Sequence, residues 1–349
     1  MIESLIWHLN NFLMSEKVLF LPASISMSFC IAVLSIILCI PILKKIGMVD
    51  NPSQRRAHKN PTIRGGGVAF VIAFIATFYF VAVFSEAKNI SFFILIPVTI
   101  LGIVSFSDDA KGMPILVRLL VHFIAAYLCI KFYLGNNLIF RGEISPNIDF
   151  FLSVISLAAF INIYNFLDGI DGISAFESIH LSMTAIILCI IREKVIINVD
   201  IVFYISSILL GCSIAFLLFN WHPAKIFMGD VGSTFLGLLH GLNLIIIAAS
   251  SERLFLAASI ASLYYISDGG ITILIRLMKG EKIWLPHLNH FFQQAVRKGM
   301  SHKEVVLKIG LCNFILMILS VSSLYVPHLA IILSIITVTY TLVHFHDAK

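Results

Sequence analysis

The sequence predicts an all-α, polytopic integral membrane protein. Apolar residues make up 59% of the 349 positions and charged residues only 12%, giving a mean hydropathy of +0.98. Apolar runs long enough to cross a hydrocarbon core of about 30 Å recur along the whole length. The densest polar clusters fall at the ends of those runs. The runs are evenly spread, so a single membrane domain over residues 1–349 is expected. The net charge of +5 does not indicate nucleic acid as a partner, because the basic residues are confined to a few loops. Cys30, Cys39, Cys129, Cys189, Cys212 and Cys312 all lie inside apolar runs without a CxxC pair. They read as small buried hydrophobes, not as disulfides or zinc ligands.

Taken in order, membrane helices are expected over 19–43, 67–84, 91–106, 116–134, 149–166, 175–191, 200–219, 233–250, 255–275, 306–324 and 328–345. Residues 1–16 are apolar but short, which suits the interface. Glu3 and the lack of an early Lys or Arg do not resemble a cleavable signal peptide. Eleven crossings put the termini on opposite sides. Lys44, Lys45, Arg55, Arg56, Lys59 and Arg64 share a side with Lys111, Arg118 and Lys225, with all the Lys and Arg residues of 276–308, and with Lys349. The opposite loops hold few cations. The positive-inside rule then makes the first set cytoplasmic, with the N-terminus outside and the C-terminus inside. The polar clusters lie near 45–66, 107–115, 162–174, 220–233 and 276–305, all on the cytoplasmic side.

The stretch Asn162, Asn165, Asp168 and Asp171 organises the chain. Residues three apart are neighbours on a helix, so these oxygen-bearing side chains can share a side. Gly169 and Gly172 allow the backbone to leave the helix there. Ser174 with Glu177 reads as a capping box for the next helix. The result is an oxygen-rich elbow suited to a hard cation or a sugar nucleotide. Its bland alternative, a polar turn, needs fewer than four such side chains.

Four other clusters accompany the elbow. Asp108 and Asp109 end an apolar helix, where the partial negative charge of the terminus disfavours them without a cation or another role. They suit a divalent ion or a base, or simply a solvated loop beside Lys111. Asp230, between Gly229 and Gly232, opens a membrane helix. It is either an ordinary cap or a carboxylate that meets a diphosphate through a metal. His287 and His290 are expected on one helical face, followed by Gln293, Arg297 and His302. No Cys or acidic partner completes a zinc set, so recognition of phosphate or sugar hydroxyls is the better reading, against an amphipathic interfacial helix. The run from Asp50 to Gly67 is basic and Gly-rich, and with Arg64 reads as a cradle for an anionic headgroup or as a topogenic loop.

These five motifs, in this order and on one face, resemble the bacterial polyprenyl-phosphate N-acetylhexosamine-1-phosphate transferases (MraY/WecA type, glycosyltransferase family 4). The resemblance runs from about Val49 to His302. It implies an enzyme of the bacterial inner membrane that transfers a sugar-1-phosphate from a UDP-N-acetyl-sugar to undecaprenyl phosphate, with Mg²⁺, or alternatively Mn²⁺, and release of UMP. A homodimer is compatible with it. Residue by residue, it implies that Asp230 and Asn165 hold the metal and that Asp108 and Asp109 handle the lipid phosphate, one of them as base. Asp168 and Asp171 would position nucleotide or metal. Asn162, Arg64, His287, His290, Arg297 and His302 would contact the substrates.

One departure bears on the donor. The murein-precursor branch carries consecutive histidines in its last cytoplasmic loop, whereas here His287, His290 and His302 are spaced. That spacing resembles the branch that initiates O-antigen-type glycans. The expected donor is therefore UDP-GlcNAc or a 6-deoxy relative such as UDP-FucNAc or UDP-QuiNAc, with Leu288, Phe291 or Phe292 as an apolar wall. The rival classes are a membrane transporter and a lipid flippase. Both predict charge near mid-membrane or along a groove, not clustered at one face.

Overall fold

The computed structural model describes residues 17–50, 61–85, 92–135, 139–282, 285 and 287–348. The interfacial reading of 1–16 and the basic residues Arg55, Arg56 and Lys59 lie outside them. Lipid cannot satisfy backbone polar groups, so apolar runs of this length fold as helices. The first eight spans are α1 (Lys17–Lys45), α2 (Gly67–Phe84), α3 (Leu95–Lys111), α4 (Ile115–Tyr133), α5 (Pro146–Leu167), α6 (Ile173–Ile191), α7 (Val199–Asn220) and α8 (Gly229–Ser250). They are followed by α9 (Glu252–Ala261), α10 (Leu263–Met278), the short α11 (Phe291–Arg297), α12 (His302–Ser322) and α13 (Pro327–His346). Among the described residues, ten helices are long and apolar enough to cross a membrane, or eleven when α9 and α10 count as one span.

Two expectations are corrected. The ninth span is not one straight helix: α9 and α10 meet at 68°, with Ser262 ending the first and preceding the second. The elbow helix α6 is not opened by a Ser174–Glu177 box. Its N-cap is Gly172 at φ +84°, and Ser174 Oγ instead donates to Asp168 Oδ1 at 2.6 Å. Glu177 is buried and accepts from Asn313 Nδ2 at 2.7 Å.

Helix α8 is the hub, packing against α2–α7 and α9. Small residues make this possible, since close approach replaces the hydrophobic drive that lipid cannot supply. Gly237 and Gly241 form a GxxxG stripe on which α5 lies. A Cβ at Gly237 would come within 2.9 Å of Ile161 Cα, and one at Gly241 within 2.6 Å of Leu157 Cδ1. At the N-terminal end of α2, Gly67 rests directly on the backbone of Gly232. A Gly67→Ala variant is expected to lose about 1–3 kcal/mol through overpacking, read as a lower melting temperature in detergent.

A small hairpin, β1 (Val49–Asp50) with β2 (Thr62–Ile63), is antiparallel. Ile63 in turn bridges Ile226 in parallel. Gly66 and Gly67 donate their N–H groups to the carbonyls of Phe227 and Met228 at 2.9 and 2.8 Å. The glycine run is therefore a joint clamping the hairpin to the start of α8, with these two amides engaged by backbone carbonyls. Of that motif, Asp50 and Arg64 line the larger cavity of the site.

Candidate active site

Two cavities meet at the end of α5 and the start of α8. The larger, about 500 Å³, is lined by Arg64, Asn165, Asp168, Asp171, Asn220 and Phe227, by Asp230, and by Leu288, Gln293, Val296, Arg297 and His302 from the last loop. The smaller, about 50 Å³, lies between α3, α4, α5 and α8. It is lined by Asp108, Arg118, His122 and Asn162 together with the apolar Ile115, Leu119 and Phe166. Asn165 and Asp230 line both.

Asp230 is the junction. Its Oδ1 accepts from Arg64 Nη2 at 2.9 Å and its Oδ2 lies 3.4 Å from Arg118 Nη1. Asn165 Nδ2 donates to Ser233 Oγ at 2.8 Å, which commits the amide nitrogen and leaves the oxygen as the atom a cation could meet. Asp168 lies beside them, and burial pushes its carboxyl up to about 7, with the charges of Asp230 and Asp109 adding to the rise and Ser174 and Arg64 opposing it. Oxygen atoms gathered in this way are of the kind that could hold a hard divalent cation.

The paired acids at the end of α3 divide their work. Asp108 accepts from Met113 N at 2.6 Å and Arg118 Nη1 at 2.9 Å, on the wall of the smaller cavity. Asp109 was expected beside it at the lipid phosphate, and the structure gives it another task. Its side chain is fully buried and accepts from the N–H groups of Asp230 and Val231 at 2.9 and 3.0 Å, with Arg64 at 2.8 Å. It caps α8 from a neighbouring helix, a favourable place for a carboxylate. Gly229 makes room: its φ is +74°, and a Cβ there would fall 2.5 Å from Asp109 Oδ2.

Asn162 faces the smaller cavity, 3.2 Å from His122 Nδ1. Asp171 faces the larger one. Burial raises its carboxyl, but hydrogen bonds from His302 and His222 outweigh that and hold it below the ordinary value.

The last loop differs most from expectation. His287 and His290 precede α11 and do not share a helical face. His290 is 1% exposed and lies 3.2 Å from Asp268, whose carboxylate also accepts from the N–H groups of Phe291 and Phe292. It fastens the loop to α10 and does not face the cavity. His287 lies against Phe166 and His290. Burial, with His290 and Arg276 nearby, pulls its pKa to about 4. Phe292 is fully buried under Gly169, and the apolar wall is Leu288 with Val296.

Sequence reasoning missed Arg118, Phe227 and Asp268 as site or support residues. Asp268 carried a usable signal, a lone acid inside an apolar run. Arg118 was hidden among cations that topology alone explains.

A family model for glycosyl transferase family 4 matches residues 91–248. The chain is 27% identical over 308 residues to a probable undecaprenyl-phosphate N-acetylglucosaminyl 1-phosphate transferase of Bacillus subtilis, covering 83% of this chain and 82% of that one. It is 28% identical over 323 residues to a phospho-N-acetylmuramoyl-pentapeptide-transferase of a Wolbachia species, covering 82% and 93%. A decaprenyl-phosphate N-acetylglucosaminephosphotransferase of Mycobacterium leprae is 24% identical over 308 residues, covering 77% and 75%.

Proposed function

We propose that this chain, which belongs to glycosyl transferase family 4, transfers an N-acetylhexosamine-1-phosphate from a UDP-sugar to undecaprenyl phosphate. The products are undecaprenyl-diphosphate-sugar and UMP. The observation that carries this reading is the pair of cavities sharing Asp230 and Asn165. A water-soluble nucleotide sugar fits the large polar one. The small one, with Arg118 beside apolar Ile115 and Leu119, suits a phosphate on a lipid. The flank of α4 carries exposed Leu116, Leu120 and Phe123, a surface for an isoprenoid tail. The charge bias of the loops supports a bacterial cytoplasmic-membrane protein with the site on the cytoplasmic face and the N-terminus periplasmic.

In the reaction a lipid-phosphate oxygen attacks the sugar-linked phosphorus, the anhydride bond to UMP breaks, and UMP leaves with the bridging oxygen. One anhydride replaces another, so positioning and charge neutralisation set the rate. Asp230 and Asn165, with Asp168 beside them, would hold Mg²⁺, and Mn²⁺ would also suit these oxygens. A bound ion supplies neutralisation and polarisation of the diphosphate. Arg64 and Arg118 bring fixed positive charge to the two sides of Asp230. Asp108 orients Arg118 toward the acceptor, and Asp109 keeps the start of α8 in place.

For the donor we propose UDP-GlcNAc or a 6-deoxy relative, and for the pathway the initiation of an O-antigen or related envelope polysaccharide. Leu288 and Val296 beside Gln293 and Arg297 support a small sugar with an apolar edge. A methyl-sized pocket discriminates by roughly 10–200-fold. The test compares kcat/KM for UDP-FucNAc, UDP-QuiNAc, UDP-GlcNAc and UDP-MurNAc-pentapeptide on one lipid acceptor. A small sugar is expected to win, with Leu288→Ala and Val296→Ala narrowing its margin; preference for the pentapeptide donor would defeat the assignment.

A further inference from the structure

Three segments distant in sequence converge on the outer wall of the larger cavity. Asp171 comes from the elbow between α5 and α6, His222 from the loop between α7 and α8, and His302 opens α12. Asp171 Oδ2 is surrounded: His222 Nδ1 lies at 2.6 Å, Ala224 N at 3.2 Å and His302 Nδ1 at 3.4 Å. No described residue donates to Oδ1, and Asp171 lines the cavity. One oxygen is anchored and the other is left for a ligand.

His302 is fitted to this task in either protonation state. Its Nδ1 is 3.4 Å from both the Asp171 N–H and Oδ2. Without a hydrogen, that nitrogen accepts from the amide; carrying one, in the Nδ1–H tautomer or the imidazolium, it donates to the carboxylate. The set could also be read as a metal centre, since its ligand atoms lie within 4.8 Å of one another. The His222–Asp171 distance of 2.6 Å argues against that. Two atoms bound to one zinc at about 2.0–2.2 Å stand roughly 3 Å or more apart, whereas 2.6 Å is a charge-assisted hydrogen bond.

We propose that His222 and His302 are positioning residues that hold Asp171 with one carboxylate oxygen presented to the nucleotide of the donor; this rests on the reading of the larger cavity as the nucleotide-sugar site. His302 does a second job through the same contact. It fastens the C-terminal end of the last loop to the cavity wall, while His290 and Asp268 fasten the N-terminal end. Gln293, Val296 and Arg297 are suspended between these two fixed points.

The test uses the full-length protein in nanodiscs, with UDP binding measured by calorimetry and donor and acceptor kinetics measured separately. His302→Ala and His222→Ala should each weaken UDP binding and raise the donor KM by about 10–100-fold, the size of loss seen when the outer partner of a metal ligand is removed. The acceptor KM should stay unchanged and kcat within about 3-fold. In His302→Asn the side-chain amide nitrogen replaces Nδ1, and most of the loss should be recovered. Melting temperatures within a few degrees of wild type identify variants that fold. A lower kcat with unchanged UDP affinity would overturn the proposal, as would an Asn variant no better than Ala, or zinc co-purifying at one equivalent. If wild type binds UDP but releases UMP from none of the donors, the transferase reading fails while the binding comparison still decides the clamp.

Discussion

Asp230→Asn should lower UMP-releasing turnover by about 10²-fold or more, the loss of several kcal/mol of charge stabilisation at the diphosphate. Asp230 is where the two cavities meet, it opens the central helix, and it is held between Arg64 and Arg118. An amide keeps the size of the side chain but removes the charge, so α8 should still form, with its N-terminus capped by Asp109. The check is kcat at increasing Mg²⁺. A deficit that persists at saturating metal, with an unchanged melting temperature, places the loss in chemistry. Turnover near wild type at ordinary Mg²⁺ would remove Asp230 from the metal site.

Arg118→Ala should have the next largest effect, confined to the acceptor. Its guanidinium joins Asp108 at 2.9 Å and Asp230 at 3.4 Å on the wall of the smaller cavity. A charge-assisted contact to phosphate contributes about 1.5–3 kcal/mol, so kcat/KM for undecaprenyl phosphate should fall roughly 10–100-fold. UDP binding by calorimetry should hardly change. Arg118→Lys should recover part of the loss, because the charge returns without the two-pronged geometry. A collapse of UDP affinity with a normal acceptor KM would assign Arg118 to the donor instead.

The transmembrane spans were legible because lipid allows few alternatives. A long apolar run must satisfy its backbone internally, so hydropathy alone placed the spans to within a few residues. The break after Ala261 was not legible. It has neither Pro nor Gly, and Ser262 bonding back to Ala258 O at 3.0 Å is visible only in three dimensions. The elbow stood out since Asn162, Asn165, Asp168 and Asp171 are concentrated oxygen in an apolar context. Their division between two cavities depends on which side of α5 each one leaves, and that is set by α8 and its glycines. Asp108 and Asp109 are adjacent and chemically identical, so nothing in the sequence separates the residue facing Arg118 from the one capping α8. Likewise, His290 reads as ligand-facing until Asp268 appears beside it, and the contact of cavity-lining His302 with Asp171 is equally invisible in the sequence.

The most direct test supplies purified protein in nanodiscs with undecaprenyl phosphate, Mg²⁺ and UDP-GlcNAc or its 6-deoxy relatives, and follows UMP and glycolipid together. The account predicts equimolar UMP and undecaprenyl-diphosphate-sugar, neither product without the lipid phosphate, and loss of both on chelation with recovery when Mg²⁺ is restored. UMP released in the absence of lipid acceptor, or no UMP from any of these donors, would contradict it.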